Sequence, residues 1–239
     1  HATLTTPDLE YDMETNIGIY KNGGKVVNGK TTLTSREGHY FADMRDVYFR
    51  RNVVLRDPAY DINTDSLLYN TETRTTRFIS QTLIKDSSGR TISTKEGFYN
   101  QNTGKAEFGQ RPVIVDGDLS VTGDVVTFDD STGIYIAERN AIVRNTKDGT
   151  TVIGGIVIAN KKTEAFLATR RPLMIVKQDD DSIYIKGDTL FSARLSDRFG
   201  MDSIIIDSAK GIKGPAYNEK DSSNRYFEAY SNVKIFNDS

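Results

Sequence analysis

The stretches "DINTDSLLYNTETRTTRFISQTLIKD" (residues 61–86) and "TISTKEGFYNQNTGKAEFGQRPVIVD" (residues 91–116) carry one pattern twice. In each, an Ile (Ile62, Ile92) is followed seven residues later by a Tyr (Tyr69, Tyr99). A Thr stands four beyond the Tyr (Thr73, Thr103), a Phe nine beyond it (Phe78, Phe108), and an Ile six beyond the Phe (Ile84, Ile114). Outward from this pair, the aromatic anchor recurs as Tyr11, Tyr40, Tyr69, Tyr99, Phe128, Ala159 and Phe191, at separations of 29, 29, 30, 29, 31 and 32. Seven residues before the anchors stand Leu4, Leu33, Ile62, Ile92, Val121, Val152 and Tyr184. Nine after them come Tyr20, Phe49, Phe78, Phe108, Ala137 and Ala168, and six further on Val26, Leu55, Ile84, Ile114, Val143 and Met174. A fixed period in the range of 20 to 50 residues marks a chain built from stacked supersecondary units.

The chemistry between anchor and Phe column identifies the unit. Asp12, Asn70, Asn100, Asp129 and Asn160 follow their anchors directly, with a Thr three residues further on. Asn and Asp hold tight turns by accepting bonds from the backbone two residues on, and Gly104 and Gly133 supply positive φ where the chain reverses. The flanks are rich in Val, Ile, Thr, Tyr and Phe, and the returning flank alternates, as in Phe49, Val53 and Leu55 against Arg50, Asn52 and Arg56. No segment sustains a helical apolar period. Each unit is therefore strand, turn, strand, and the fold class is all-β. One such hairpin cannot bury its apolar face, so successive units must stack. A β-solenoid and a folded-over antiparallel double sheet both allow that, and the obligatory reversal in mid-unit favours the double sheet.

Composition narrows the function. Thirty-one Lys and Arg against 33 Asp and Glu leave a net charge of -2, which offers no field to attract nucleic acid or an anionic membrane. No apolar run approaches the roughly 20 residues of a spanning helix. Cysteine is absent, which excludes a disulfide framework and thiolate metal sites. No apolar leader follows a basic start, so the expectation is a chain whose secretion signal is gone and which continues beyond this stretch.

The segments "LTTPDLEYDMETNIGIYKNGG", "LTSREGHYFADMRDVYFRRNVVLRDPAYDINTDSLLYNTET" and "RYFEAYSNVKIFNDS" resemble the OstA-like (organic solvent tolerance) family, closest to its Bacteroidetes-type members and related to the LptA-type proteins of lipopolysaccharide transport. The resemblance runs from Leu4 to Phe191 and resumes at Arg225. It implies a non-enzymatic periplasmic protein without cofactor, an open-ended, twisted β-jellyroll of stacked antiparallel hairpins. Its groove would shelter the acyl chains of lipopolysaccharide or a related glycolipid, and its end strands would pair with other envelope jellyrolls or with a second copy. The chain departs from the repeat after Phe191, where residues 192–224 stand in place of the expected turn and return strand. The domain reading is thus a repeat-built jellyroll over 1–191, an insertion over 192–224 and a return strand over 225–239.

The groove candidates are the shared columns: Leu33, Phe49, Leu55, Ile62, Phe78, Ile84, Ile92, Phe108, Ile114, Val121 and Val143. Acyl chains gain about 0.8 kcal/mol per methylene removed from water, so such a lining suits lipid, although the same columns also serve a closed core. Arg50–Arg51 and Arg170–Arg171 have the bidentate geometry for phosphate, or are solvated strand faces. Asp179–Asp181 is a polar turn lacking the six to eight oxygens of a Ca²⁺ site. His39, the one internal histidine, gives a zinc site or a His-dependent triad almost no material. Glu37, Asp65, Glu96 and Asp124 recur near one point of successive units, beside Gly38, Gly97, Gly123, Gly154 and Gly187, which predict a kink there. Aligned as acid and base those carboxylates would suit a polysaccharide-binding or polysaccharide-degrading module, the alternative function; otherwise they decorate the bend.

Overall fold

The computed structural model describes residues 2–178, 181–194 and 225–237. It divides into two compact units, His1–Ser131 and Thr132–Ser239, and every ladder in both is antiparallel. No helix occurs among the described residues. The segment 195–224, most of the expected insertion, lies outside them.

The N-terminal unit opens with β1 (Ala2–Thr5), β2 (Glu10–Asp12), β3 (Ile17–Tyr20), β4 (Gly24–Asn28), β5 (Thr31–Ser35) and β6 (Glu37–Phe41). Two long strands follow, β7 (Asp46–Arg56) and β8 (Tyr60–Asn70), then β9 (Thr75–Phe78), β10 (Thr82–Asp86), β11 (Thr91–Thr94) and β12 (Glu96–Asn100). It closes with β13 (Lys105–Gly109), β14 (Val113–Asp116), β15 (Leu119–Thr122) and β16 (Val125–Asp129). These pair into two layers. Layer I runs β1, β4, β5, β7, β8, β10, β11, β14, β15. Layer II runs β2, β3, β6, β7, β8, β9, β12, β13, β16. The long strands β7 and β8 pass through both.

Register explains the columns. Layer I carries one inward row in which Leu4, Val26, Leu33, Leu55, Ile62, Ile84, Ile92, Ile114 and Val121 are successive cross-strand partners. Two columns that are 22 residues apart in sequence therefore form a single ridge, because each hairpin brings the second against the first. Layer II carries two rows. The Phe row reads Tyr20, Gly38, Phe49, Leu67, Phe78, Gly97, Phe108, Val126. The anchor row reads Tyr11, Gly18, Tyr40, Val47, Tyr69, Thr76, Tyr99, Ala106, Phe128.

The turns behave as their chemistry requires. Asp12, Asn70 and Asn100 each accept backbone N–H bonds on Oδ1 from residues two and three positions on, at 2.8–3.2 Å. The residue five beyond the anchor is left-handed in each of the first six repeats: Asn16, Arg45, Arg74, Gly104, Gly133 and Glu164, with φ between 54° and 73°. Only two of these six are glycine.

The C-terminal unit repeats the plan with β17 (Ile134–Asn145), β18 (Thr150–Asn160), β19 (Ala165–Thr169), β20 (Leu173–Gln178), β21 (Asp181–Lys186), β22 (Thr189–Arg194), β23 (Arg225–Tyr230) and β24 (Lys234–Asn237). Its rows are Val143, Val152, Met174, Ile185, Ile235 and Ala137, Val157, Ala168, Leu190, Ala229. Here the sequence alignment needs correction. Phe166, in the anchor row, pairs with Ser192 and Met174 with Ile185, so Phe191 and Tyr184 stand one residue out of register. The last repeat is one residue longer than aligned, and in a strand a slip of one moves a side chain to the other face. Ser192 is buried and Phe191 is not.

The outgoing strands break near four of the five glycines: at Gly123 and Gly187, and two residues before Gly38 and Gly97, at Arg36 and Lys95; Gly154 lies inside β18. The returning strands turn at pairs of consecutive left-handed residues: Arg51–Asn52, Gln110–Arg111, Arg139–Asn140, Arg170–Arg171 and Ser231–Asn232, with φ of 53–61°. The paired arginines are thus corner residues, at the shift in register between Arg50 and Val53 in β7 and, as Arg170–Arg171, between β19 and β20.

Candidate functional site: an apolar slot in the N-terminal unit

Between the two layers of the N-terminal unit lies a cavity of about 1160 Å³. Leu4, Val26, Leu33, Leu55, Ile62, Ile84 and Ile92 line it from layer I, and Tyr20, Phe49, Leu67, Phe78 and Phe108 from the Phe row. The anchor row adds Tyr11, Tyr40, Tyr69, Tyr99 and Phe128 along one side. Layer I residues Leu4 to Ile92 span seven paired strands, which at about 4.8 Å per step gives a slot about 29 Å long.

Exposure falls along the slot. In the anchor row Tyr11 is 50% exposed, Tyr40 36% and Phe128 5%; in layer I Leu4 is 40% exposed and Ile114 fully buried. The slot is therefore open at the β1/β2 end and ends in buried core towards β14 and β16, while exposed Ala59, Thr71, Arg74, Ser87 and Asp130 line it along a flank. Of the sequence candidates, Leu33, Phe49, Leu55, Ile62, Phe78, Ile84, Ile92 and Phe108 line it. Ile114 and Val121 belong to the same row but lie beyond its end in closed core, and Val143 is buried in the C-terminal unit. Leu67 and the tyrosines were not among the candidates. The Tyr column was visible as the repeat anchor, but nothing in the spacing says that it faces inward.

Glycine makes room for the rings. A Cβ on Gly38 would lie 2.3 Å from the Tyr20 ring, and one on Gly97, at φ 148°, would lie 2.3 Å from the Glu107 carbonyl oxygen and 2.7 Å from the Phe108 ring. Tyr20 lies over Gly38 and closes with a 2.6 Å hydroxyl bond to Ser35. Burial raises the Tyr20, Tyr60, Tyr69 and Tyr99 hydroxyls above the ordinary phenol range, so all four stay neutral across the physiological range.

Polar groups line the slot along its length, among them Thr31 bonded to Asp57, and a network stands at the inner end. Gln101 Nε2 donates to the Tyr60 hydroxyl. Arg90 reaches Asp86 through Nε at 2.9 Å and Asp130 through Nη1 at 2.6 Å, and its guanidinium lies 4.5 Å from the centre of the Phe128 ring. Burial acts to raise the Asp86 carboxyl, but bonds from Ser88 and the Arg90 charge outweigh it and hold the group below the usual carboxylate range.

The carboxylates of the alternative reading sit elsewhere. Glu37 Oε1 pairs with Arg51 at 2.7 Å, Glu96 Oε2 accepts from Gln110 Nε2 at 2.7 Å, and Asp124 faces Arg111 at 3.5 Å. Asp65 accepts from Ser66. Three of the four thus tie to left-handed corner residues of the returning strand, and none lines the slot. His39 packs against Phe41 and Tyr48, with ring centres at 6.5 and 6.2 Å. Asp179 and Asp180 lie outside the described residues; Asp181 begins β21. Among the described residues no group of three or more His, Asp or Glu is placed to hold a metal ion.

Comparison with known proteins gives three results. Residues 1–65 match the model of the family described as OstA-like protein. No curated protein matches the chain. Among solved structures, the chain is similar to LptH of Pseudomonas aeruginosa, described as the LptA homologous periplasmic component of the conserved lipopolysaccharide transport device; identity is 10%, coverage 74% of this chain and 96% of that one, and the TM-score 0.27. A superposition at that level carries no weight for fold or function, which rest on the register and the slot. The matched 65 residues supply β1 to β7, the start of β8 and the open half of the slot, and over that stretch the chain is similar to the OstA-like family.

Proposed function

We propose that this chain is a periplasmic lipopolysaccharide-transport protein that holds the acyl chains of lipopolysaccharide or a related glycolipid in the apolar slot. The observation that carries this reading is the slot itself: an empty space of about 1160 Å³ walled by three continuous apolar rows rather than closed by them. Each methylene that leaves water there contributes about 0.8 kcal/mol, so a few chains are held firmly without any directional bond. The OstA-like match over the half of the slot that opens outward supports the same assignment.

Bridging to like proteins through strand edges is the second half of the proposal. Among the described residues β1 and β2 each pair on one side only, and so do β23 and β24. Unpaired strand edges present N–H and C=O groups to another strand, and a second jellyroll of the same kind supplies the matching edge.

The test is mass spectrometry of lipid retained by protein purified from a native Gram-negative envelope without detergent. The reading expects an acylated glycolipid, lost in Phe78→Asp, since an unpaired carboxylate in the slot costs several kcal/mol or is forced to protonate. A folded Phe78→Asp protein that retains the same lipid at the same level contradicts it.

A further inference from the structure

Towards β14 and β16 the slot ends at a chain of touching rings. Phe78 and Phe108 meet at 5.8 Å between centres, Phe108 and Phe128 at 5.8 Å, Phe128 and Tyr99 at 6.4 Å, and Tyr99 and Tyr60 at 6.4 Å. The first four belong to layer II, whereas Tyr60 opens the layer I half of β8, opposite Asp86 of β10. The rings therefore cross the interior from one layer to the other. Beyond them the rows continue as Ile114, Val121 and Val126, each no more than 1% exposed and none lining the cavity. The barrier is fixed in place. Arg90 lies over Phe128 and is held by Asp86 and Asp130, and Tyr60 is held by Gln101. Phe108 has no exposed surface.

We propose that this ring partition is a stop that sets how far an acyl chain enters from the open end, so that the N-terminal unit selects chains by length. Phe108 and Phe128 are the specificity-determining residues, and Arg90 positions Phe128. The inference deepens the lipid reading and rests on it. While a chain still has slot to fill, each added methylene gains the full transfer energy, about fourfold in affinity, which corresponds to about 0.8 kcal/mol. Once its tip meets the rings, further methylenes stay in water and the gain stops.

The experiment is displacement of cis-parinaric acid from the full chain by saturated fatty acids of increasing length, each kept below its micelle concentration. The wild type is expected to show about fourfold tighter binding per methylene up to one length and a plateau beyond it. In Phe108→Ala the plateau moves to longer chains. In Phe49→Ala, which widens the slot near its open end, the break stays at the wild-type length. Should Phe108→Ala not fold, Phe128→Leu shortens a ring in the same partition and moves the break in the same direction. A wild type that binds no probe overturns both the lipid reading and the stop. A wild type that binds, with no break or with a break that neither partition variant moves, overturns the stop alone.

Discussion

Gly38→Ala should destabilise the protein through one ring. The added Cβ would sit 2.3 Å from Cε1 and 2.4 Å from Cζ of Tyr20, far inside contact distance. Little room is left towards β4, because Gly24 flanks the other edge of the ring so closely that a Cβ there would lie 2.5 Å from it. The ring must swing into the slot, which breaks its hydroxyl bond to Ser35. Overpacking costs about 1–3 kcal/mol and the lost hydrogen bond about 1 more, so the expected loss is about 2–4 kcal/mol. In a Tyr20→Leu background no ring covers Gly38, and Ala in a strand interior is preferred over Gly by about 0.5–1 kcal/mol. The same substitution should there be neutral or mildly stabilising. Urea unfolding of the four proteins of this double-mutant cycle measures the coupling, expected at about 2 kcal/mol or more. A Gly38→Ala cost below about 0.5 kcal/mol, or an equal cost in both backgrounds, would refute the idea that glycine is here to seat the ring.

Three further outcomes are expected. Arg74 holds φ 54° at the turn position that Gly104 fills one repeat later, so Arg74→Gly should stabilise by about 0.5–1 kcal/mol, the relief of a left-handed residue less the greater freedom glycine gives the unfolded chain; the urea midpoint reads it. Asp86 is held below its unfolded carboxyl range, so it adds stability above that range and loses it as pH falls through the folded value; Asp86→Asn should weaken the protein at neutral pH and differ little from wild type in strong acid. Edge-to-edge association is carried by main-chain bonds, so light scattering should show concentration-dependent oligomers that persist at high salt, and a strict monomer at all concentrations removes the bridging half of the proposal.

Much of this was legible in the sequence. The period, the hairpin turns, the layer I row and the Phe row were readable, because tight turns demand Asn, Asp or Gly and a buried strand face demands every second residue apolar; that the Tyr row also faces inward was not. Nor were the corners of the returning strands. Arg51–Asn52 and Arg170–Arg171 adopt left-handed backbone without glycine, held by cross-strand pairing and, at Arg51, by Glu37, and two adjacent arginines on a strand carry no mark of that. The slip at Phe191 was hidden for a related reason: an aromatic one place out of register resembles the anchor better than Ser192 does. Whether the rows enclose a slot or a core was also illegible. Ile92, which lines the cavity, and Ile114, which lies beyond it, occupy the same row and pair with each other, so nothing in the spacing tells one from the other.

The claim that lipid occupies this slot is tested most directly by photo-crosslinking in the native envelope, with p-benzoylphenylalanine placed at Tyr40 or at the adjacent His39. Tyr40 lines the slot at its open half and His39 does not, so the two probes differ in face while sharing strand and depth. The account predicts an ultraviolet-dependent adduct with an acylated glycolipid at position 40 and none at position 39. Equal labelling at both positions, or none at position 40 in a folded protein, would contradict it.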